Sequence, residues 1–260
     1  RQAFERFETL EFCAKTIIKA RLLGEVRYPS EADYDRPGPP EPMHPTDPGG
    51  PPTSAERELR RQLSDFVRRA YQQRLMISTQ GAFSARLGDD SFLITPHRVD
   101  RSTLEIEDLV RVTSGRAEPG KAPSTAIFPH RAIYQAHPAV QAVVNAYPVN
   151  ATAFGVTDSA LDSRTIPESY LFLRDVARAP FAERFGDGRA LAARTSPSRP
   201  VVLIENDGVQ VCGTSVLDAF DRLEVLETTA EAMINSRSLG PMVPMNDATI
   251  AELNRAFGLT

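Results

Sequence analysis

Hydrophobic and polar positions along the chain follow two periods, and the places where one gives way to the other mark the elements. From Ala3 to Leu23 apolar residues such as Phe4, Phe7, Leu10 and Cys13 recur at three-residue steps, and the run stops at Gly24, a residue suited to the left-handed end of a helix. The same pattern returns at Ala219 and stops at Gly240. The two segments align without gaps at a constant offset of 216 positions, with 11 of 22 pairs identical. Others keep their character, as Glu5 with Asp221, Phe7 with Leu223 and Ile17 with Met233. A self-match at fixed offset is the mark of duplication. Only the last helix of the repeated unit occurs at the front. Residues 1–35 are therefore expected to be the C-terminal helix of a preceding module, and the chain the second half of a tandem protein; the lack of a Met before Arg1 agrees. A helix exposing Phe4, Phe7, Leu10, Ile17 and Leu22 carries too large an apolar face to stand alone. It is expected to pack on a core, or on a neighbouring subunit, as its copy does.

Between Arg36 and Pro52, eight prolines and three glycines fill 17 positions, which predicts an extended linker. Thr53 and Glu56 then form a capping box. The helix behind it places Leu59, Leu63, Phe66, Val67, Ala70 and Tyr71 on one face. Period-two strands follow at 82–87 and 92–95, split by the turn Gly88-Asp89-Asp90, with another at 109–113. A helix at 129–136 leads into a buried strand at 139–145, and Pro129 suits its first turn. Residues 167–185 read as helix, with a break at Pro180. The strands 200–205 and 209–212 flank Asn206-Asp207-Gly208, a hairpin signal, and helices are expected at 215–239 and 247–257. Mixed strands and helices predict an α/β domain of three layers.

Composition narrows the classes. With 260 residues, 41% of them hydrophobic, the chain is long enough for one full core. A net charge of −4 gives no reason to expect nucleic acid or an anionic membrane as partner. The longest apolar runs, such as 139–144 and 201–204, are strand-sized. Cys13 and Cys212 make neither a CxxC nor a disulfide framework, which leaves a reducing cytoplasm as the expected setting.

Four segments, GAFSARL at Gly81, FLITPHRVDRSTLEIEDLVRV at Phe92, PSTAIFPHRAIYQAHPAVQAVV at Pro123 and VVLIENDGVQVCGTSVLDAFDRLEVLE at Val201, resemble in order and spacing the class II aldolase and adducin superfamily, the group of fuculose-phosphate aldolase. The resemblance assigns residues 53–260 to that domain. It implies an α/β/α sandwich around a mostly antiparallel sheet, assembled with its sites between subunits. It also implies a divalent metal, usually zinc, held by three histidines to stabilise an enediolate, with a glutamate moving the proton. Here the HxH position reads Asn145-Ala146-Tyr147, the third histidine position is Asp207, and the glutamate position is Ala126. Asn, Tyr and one carboxylate are poor replacements for three imidazoles, and Ala126 carries no proton. The resemblance thus implies no metal, no other cofactor and no catalytic residue in this copy.

The histidines present, His44, His97, His130 and His137, supply no other HxH. His130 matches a framework histidine; His137, before Pro138, is expected to be a solvated cation at a helix end. Asp207 is expected to fill a type I′ turn. The family's phosphate pocket is eroded as well: its Gly-Asn pair, Thr-Pro-Ser-Gly turn and hydroxyl pair read Gly81-Ala82, Thr95-Pro96-His97-Arg98 and Ser124-Thr125. Gly81, Ser84, Thr95, Arg98, Ser124 and Thr125 are the residues left to bind an anion, although Ser124 and Thr125 also suit ordinary helix caps. Three readings stay open: an inactive module that supports an upstream or partner copy, with other aldolase-like modules as its partners; an adducin-like scaffold; and a sugar-phosphate lyase with a rebuilt site using Asp207, Tyr147 and Arg98.

Overall fold

The computed structural model describes residues 2–34 and 49–259. Residues 36–48 of the proline-rich segment, and His44 with them, lie outside the described residues. An eight-stranded sheet forms the middle layer. Its strands are β1 (Ala82–Gly88), β2 (Ser91–Ile94), β3 (Val110–Thr113), β4 (Arg116–Ala117), β5 (Ala142–Ala146), β6 (Ala177–Ala179), β7 (Val201–Ile204) and β8 (Val209–Gly213), in the order β4-β3-β2-β1-β5-β8-β7-β6. Among the described strands β6 and β7 alone pair in parallel, so the sheet is mixed but mostly antiparallel.

Because side chains alternate along a strand, β5 feeds two cores. Ala142, Val144 and Ala146 join Phe83, Val211 and the helices α1 (Gln2–Leu23), α3 (Ser54–Gln72), α5 (Val149–Gly155) and α8 (Val216–Ser236) on one face. Val143 joins Ile94, Val112 and Cys212 under α4 (Ile127–Ala136) on the other, where α7 (Arg189–Arg194) adds Ala192. Short helices α2 (Glu31–Tyr34), α6 (Pro167–Leu173) and α9 (Asp247–Ala256) complete the chain. Among the described residues no helix is long and apolar enough to cross a membrane.

Several local expectations meet corrections. Thr53 accepts from the Glu56 N–H, but the Glu56 carboxylate turns inward to Arg60 and Arg111 instead of closing the capping box. The helix read at 167–185 ends at Leu173, because Arg174 takes φ 55 and stops it; β6 and a 3-10 turn, Phe181–Arg184, follow. The strand at 139–145 starts three residues late because Val140 N–H closes a turn on the His137 carbonyl. His137 is half-buried, not solvated: its Nε2 donates to the Ala192 carbonyl at 2.9 Å.

The front helix docks, but not as its copy does. Thr16, Ala20 and Leu23 are buried on the α5 side, Ile17 is half-buried, and Phe4, Phe7, Leu10 and Leu22 stay exposed.

Candidate functional site

Asn145, near the C-terminal end of β5, faces α4, and Tyr147, one residue past the strand, lines the same cavity. The loop between β7 and β8 brings Asp207 to the same place, and the loop after β2 brings His97 and Arg98. Ser124 is pinned there by its N–H, which donates to the Thr95 carbonyl at 2.9 Å; its hydroxyl accepts from the Ala126 N–H at the head of α4. These side chains, with Gly81, Thr125, Ala126, Arg101, Arg184 and Glu5, line a cavity of about 380 Å³.

Two of the expected anion-binding residues are elsewhere. Ser84 is buried in the α4 core, 2.7 Å from both the Tyr134 hydroxyl and His130 Nδ1. Thr95 is buried too, its hydroxyl accepting from the Phe83 N–H. Ser84 shares the α4 face with Asn145 but sits opposite Val143, deeper under α4, and Thr95 is buried just past the end of β2. Gly81, Arg98, Ser124 and Thr125 do line the cavity.

The three positions that resemble metal ligands converge, but their donor atoms are engaged. Asn145 Oδ1 accepts from His130 Nε2 at 2.5 Å. Since an amide oxygen only accepts, Nε2 carries the proton and Nδ1 takes one from Ser84, whose oxygen accepts from Tyr134. Full burial pushes His130 down to about 4, against the partial support of Asn145. Asp207 lies 2.9 Å from Arg184 Nη1, with its side chain 12% exposed. Burial raises the Asp207 pKa, and Arg184 pulls it back. Burial also pushes the Tyr147 phenol far up, with the Asp207 charge adding to it. Zinc takes thiolate, imidazole or carboxylate donors. A protonated phenol, an amide already bonded and a carboxylate bridged to a guanidinium do not fit it. Asp207 is also not the turn residue expected: in that loop Asn206, at φ 53, takes the left-handed conformation.

What the pocket holds instead is positive charge. Arg101 is 1% exposed, and among the described residues its guanidinium bonds to carbonyls, those of Gly81, Val99 and Pro96 at 2.8–3.3 Å. Burial pushes it down to about 10, still well above neutral. His97 is held low by burial, then by Arg98 and Arg101. Arg98 sits at φ 55, a strained conformation for a side chain with a Cβ.

Two contributors escaped the sequence. Arg184 belongs to a segment read as helix, and Glu5 comes from the front helix, where its carboxylate accepts from Thr79 Oγ1 at 2.6 Å. From the same helix Phe12 meets Tyr147 edge-on, with centroids 5.9 Å apart. No sequence signal marks either contact, because both cross the whole domain.

Layer order, sheet topology and the position of this cavity define a class II aldolase type of architecture. Residues 61–234 match the Class II Aldolase and Adducin N-terminal domain, and the chain belongs to that family. It is 30% identical over 186 residues to 3-oxo-tetronate 4-phosphate decarboxylase of Escherichia coli O6:H1, spanning 68% of this chain and 85% of that one. It is 25% identical over 205 residues to methylthioribulose-1-phosphate dehydratase of Pseudomonas fluorescens, spanning 70% and 95%. The solved structure of YgbL, a putative aldolase/epimerase/decarboxylase from Escherichia coli, superposes with a TM-score of 0.68 at 25% identity, over 77% of this chain and 99% of YgbL.

Proposed function

We propose that this domain is a metal-free, non-catalytic member of its family that binds a small phosphorylated or carboxylated anion and supports another aldolase-like unit. The Arg184–Asp207 ion pair carries the reading. It sets a fixed guanidinium among the positions that resemble metal ligands, and a second cation has no place beside it. A resident metal would supply electrophilic stabilisation of an enediolate; the donors present do not suit one, and Ala126 adds no proton carrier. The anion reading rests on Arg98, Ser124 and Thr125 around one cavity, with the buried charge of Arg101 behind them, and relatives named for phosphorylated sugars suggest its ligand class.

The test is metal content by mass spectrometry after dialysis against zinc, with turnover assays on 3-oxo-tetronate 4-phosphate and methylthioribulose 1-phosphate and calorimetry with inorganic phosphate. Saturable phosphate binding without zinc or turnover is expected. Stoichiometric zinc with turnover overturns the reading. A second reading, an enzyme with a rebuilt site, rests on Glu5, which brings a carboxylate to the same cavity. Turnover that disappears in Glu5→Gln favours it.

A further inference from the structure

The front helix and α8 share a sequence but show opposite faces to the protein. Ala219, Phe220, Leu223, Leu226, Ala230 and Ile234 are the inward positions of α8, all between 0% and 2% exposed. The Phe220 ring packs at a tilt against Phe66 of α3 and Phe83 of β1, with centroids 5.0 and 6.4 Å away. At the offset of 216 these become Ala3, Phe4, Phe7, Leu10, Ala14 and Ile18. All six are exposed in α1, and the four large ones are between 56% and 68% exposed. α1 is held to this domain by another side, through Thr16, Ala20 and Leu23.

The match extends to a polar anchor. In α8 the Glu227 carboxylate accepts from the Asn150 and Ala151 N–H groups at the head of α5, at 3.0 and 2.9 Å. Its equivalent is Glu11, the same residue type, which in α1 pairs, among the described residues, with Lys15 and Arg74 on the surface. A helix kept merely amphipathic has no need for a carboxylate at that point. A helix built to close an aldolase-type sheet does.

We infer that the outward face of α1 seats on a second aldolase-type unit, against the sheet and helix surface that α8 covers in this one, so that a single helix joins two units. The surface of that partner is defined by what α8 meets here: the counterparts of Phe66, Phe83, Val144 and Val211, with the α5 head to receive Glu11. In this domain α8 already fills that surface, so the partner is a unit whose own place for the helix is open. The inference names the partner that the proposed supporting role requires. It stands whether or not this cavity binds an anion or turns over a substrate.

Two measurements test it, and neither reads metal or activity. In the first, residues 3–24 replace residues 219–240 in the full chain. The main buried changes are Leu223→Phe and Thr229→Cys, the second losing the bond to the Ser169 hydroxyl, and the graft is expected to melt cooperatively within about 10 °C of the parent. The same graft carrying Phe7→Ser and Leu10→Ser is the control and is expected not to fold. A graft as unfolded as its control overturns the inference. In the second, p-benzoylphenylalanine is placed at position 10 or 18 of the natural full-length protein, and cross-linked peptides are sequenced. Links to the sheet face of an aldolase-type unit support the inference. Links to another protein class, to α1 of a second copy, or none at either position overturn it.

Discussion

Arg184 Nη1 stands 2.9 Å from Asp207 Oδ1, and this contact decides the charge of the cavity wall. Arg184→Met leaves a buried carboxylate without its cation. Breaking a buried pair costs about 3–5 kcal/mol, but the Arg184 side chain is 38% exposed, so a loss of about 1–3 kcal/mol at pH 7.5 is expected. Burial raises the Asp207 pKa above 3.8, so the folded state holds that proton more tightly than the unfolded one. The group's contribution therefore falls as pH rises from 3.8 through the folded pKa, and without Arg184 it falls further. Urea unfolding at pH 4 and pH 7.5 checks this: the variant's deficit is expected to shrink at pH 4. An equal deficit at both values rules the pair out as its source.

His130 makes the opposite prediction for acid. Its folded pKa, about 4, lies below the ordinary 6.5, so the unfolded chain takes up a proton first. Stability from this group is complete above pH 6.5 and is lost as pH falls toward 4, by about 3 kcal/mol. His130→Leu loses the bonds to Ser84 and Asn145 and is less stable at pH 7.5, but its stability changes less between pH 6.5 and 4.5. Parallel curves for parent and variant assign the acid sensitivity to other groups.

These pairs also show where sequence reasoning reaches and where it stops. The β1–β2 hairpin was legible because Gly88-Asp89-Asp90 and period-two patterning are local, and α8 because Ser215 caps an apolar stripe that ends at Gly240. Four matched blocks placed Asn145, Tyr147 and Asp207 together. Nothing local announced the end of α6, since Arg174 is an unremarkable residue in an unusual conformation. Nor did anything place Arg184 on Asp207, because β6 finds its partner β7 only in the folded sheet. Ser84 and Thr95 were misplaced by treating motif position as cavity position, when Ser84 lies deeper under α4, bonded to Tyr134 and His130, and Thr95 turns its hydroxyl to the Phe83 N–H.

Arg101 is a structural cation whose loss is expected to reach the cavity. Its guanidinium satisfies the carbonyls of Gly81, Val99 and Pro96, which tie the loop after β2 to the start of β1. Arg101→Met strands those carbonyls in a buried place, at about 1–3 kcal/mol for each unmet group. A melting temperature lower by at least about 5 °C is expected. Arg101→Lys is expected to recover little, because one ammonium cannot follow the planar fork. A methionine variant that melts like the parent shows that the loop is held by other contacts.

Imidazoles can be returned to the three converging positions, which tests whether the frame of a metal site survives beneath the changed chemistry. Asn145 in β5 and Tyr147 just past its end line one cavity, which Asp207 enters from the β7–β8 loop. Histidines at all three would put three imidazoles on one cavity, the ligand number of a zinc site with one open position. Arg184 must go with them, since its charge repels the ion. The variant N145H, Y147H, D207H and R184A is expected to retain about one equivalent of zinc after dialysis, with the parent retaining almost none. Lyase turnover is not expected to follow, because Ala126 still offers no proton carrier; Ala126→Glu in the same background is the step that could supply it. If the four-residue variant folds and still takes no zinc, the cavity has drifted from ligand geometry as well as from ligand chemistry.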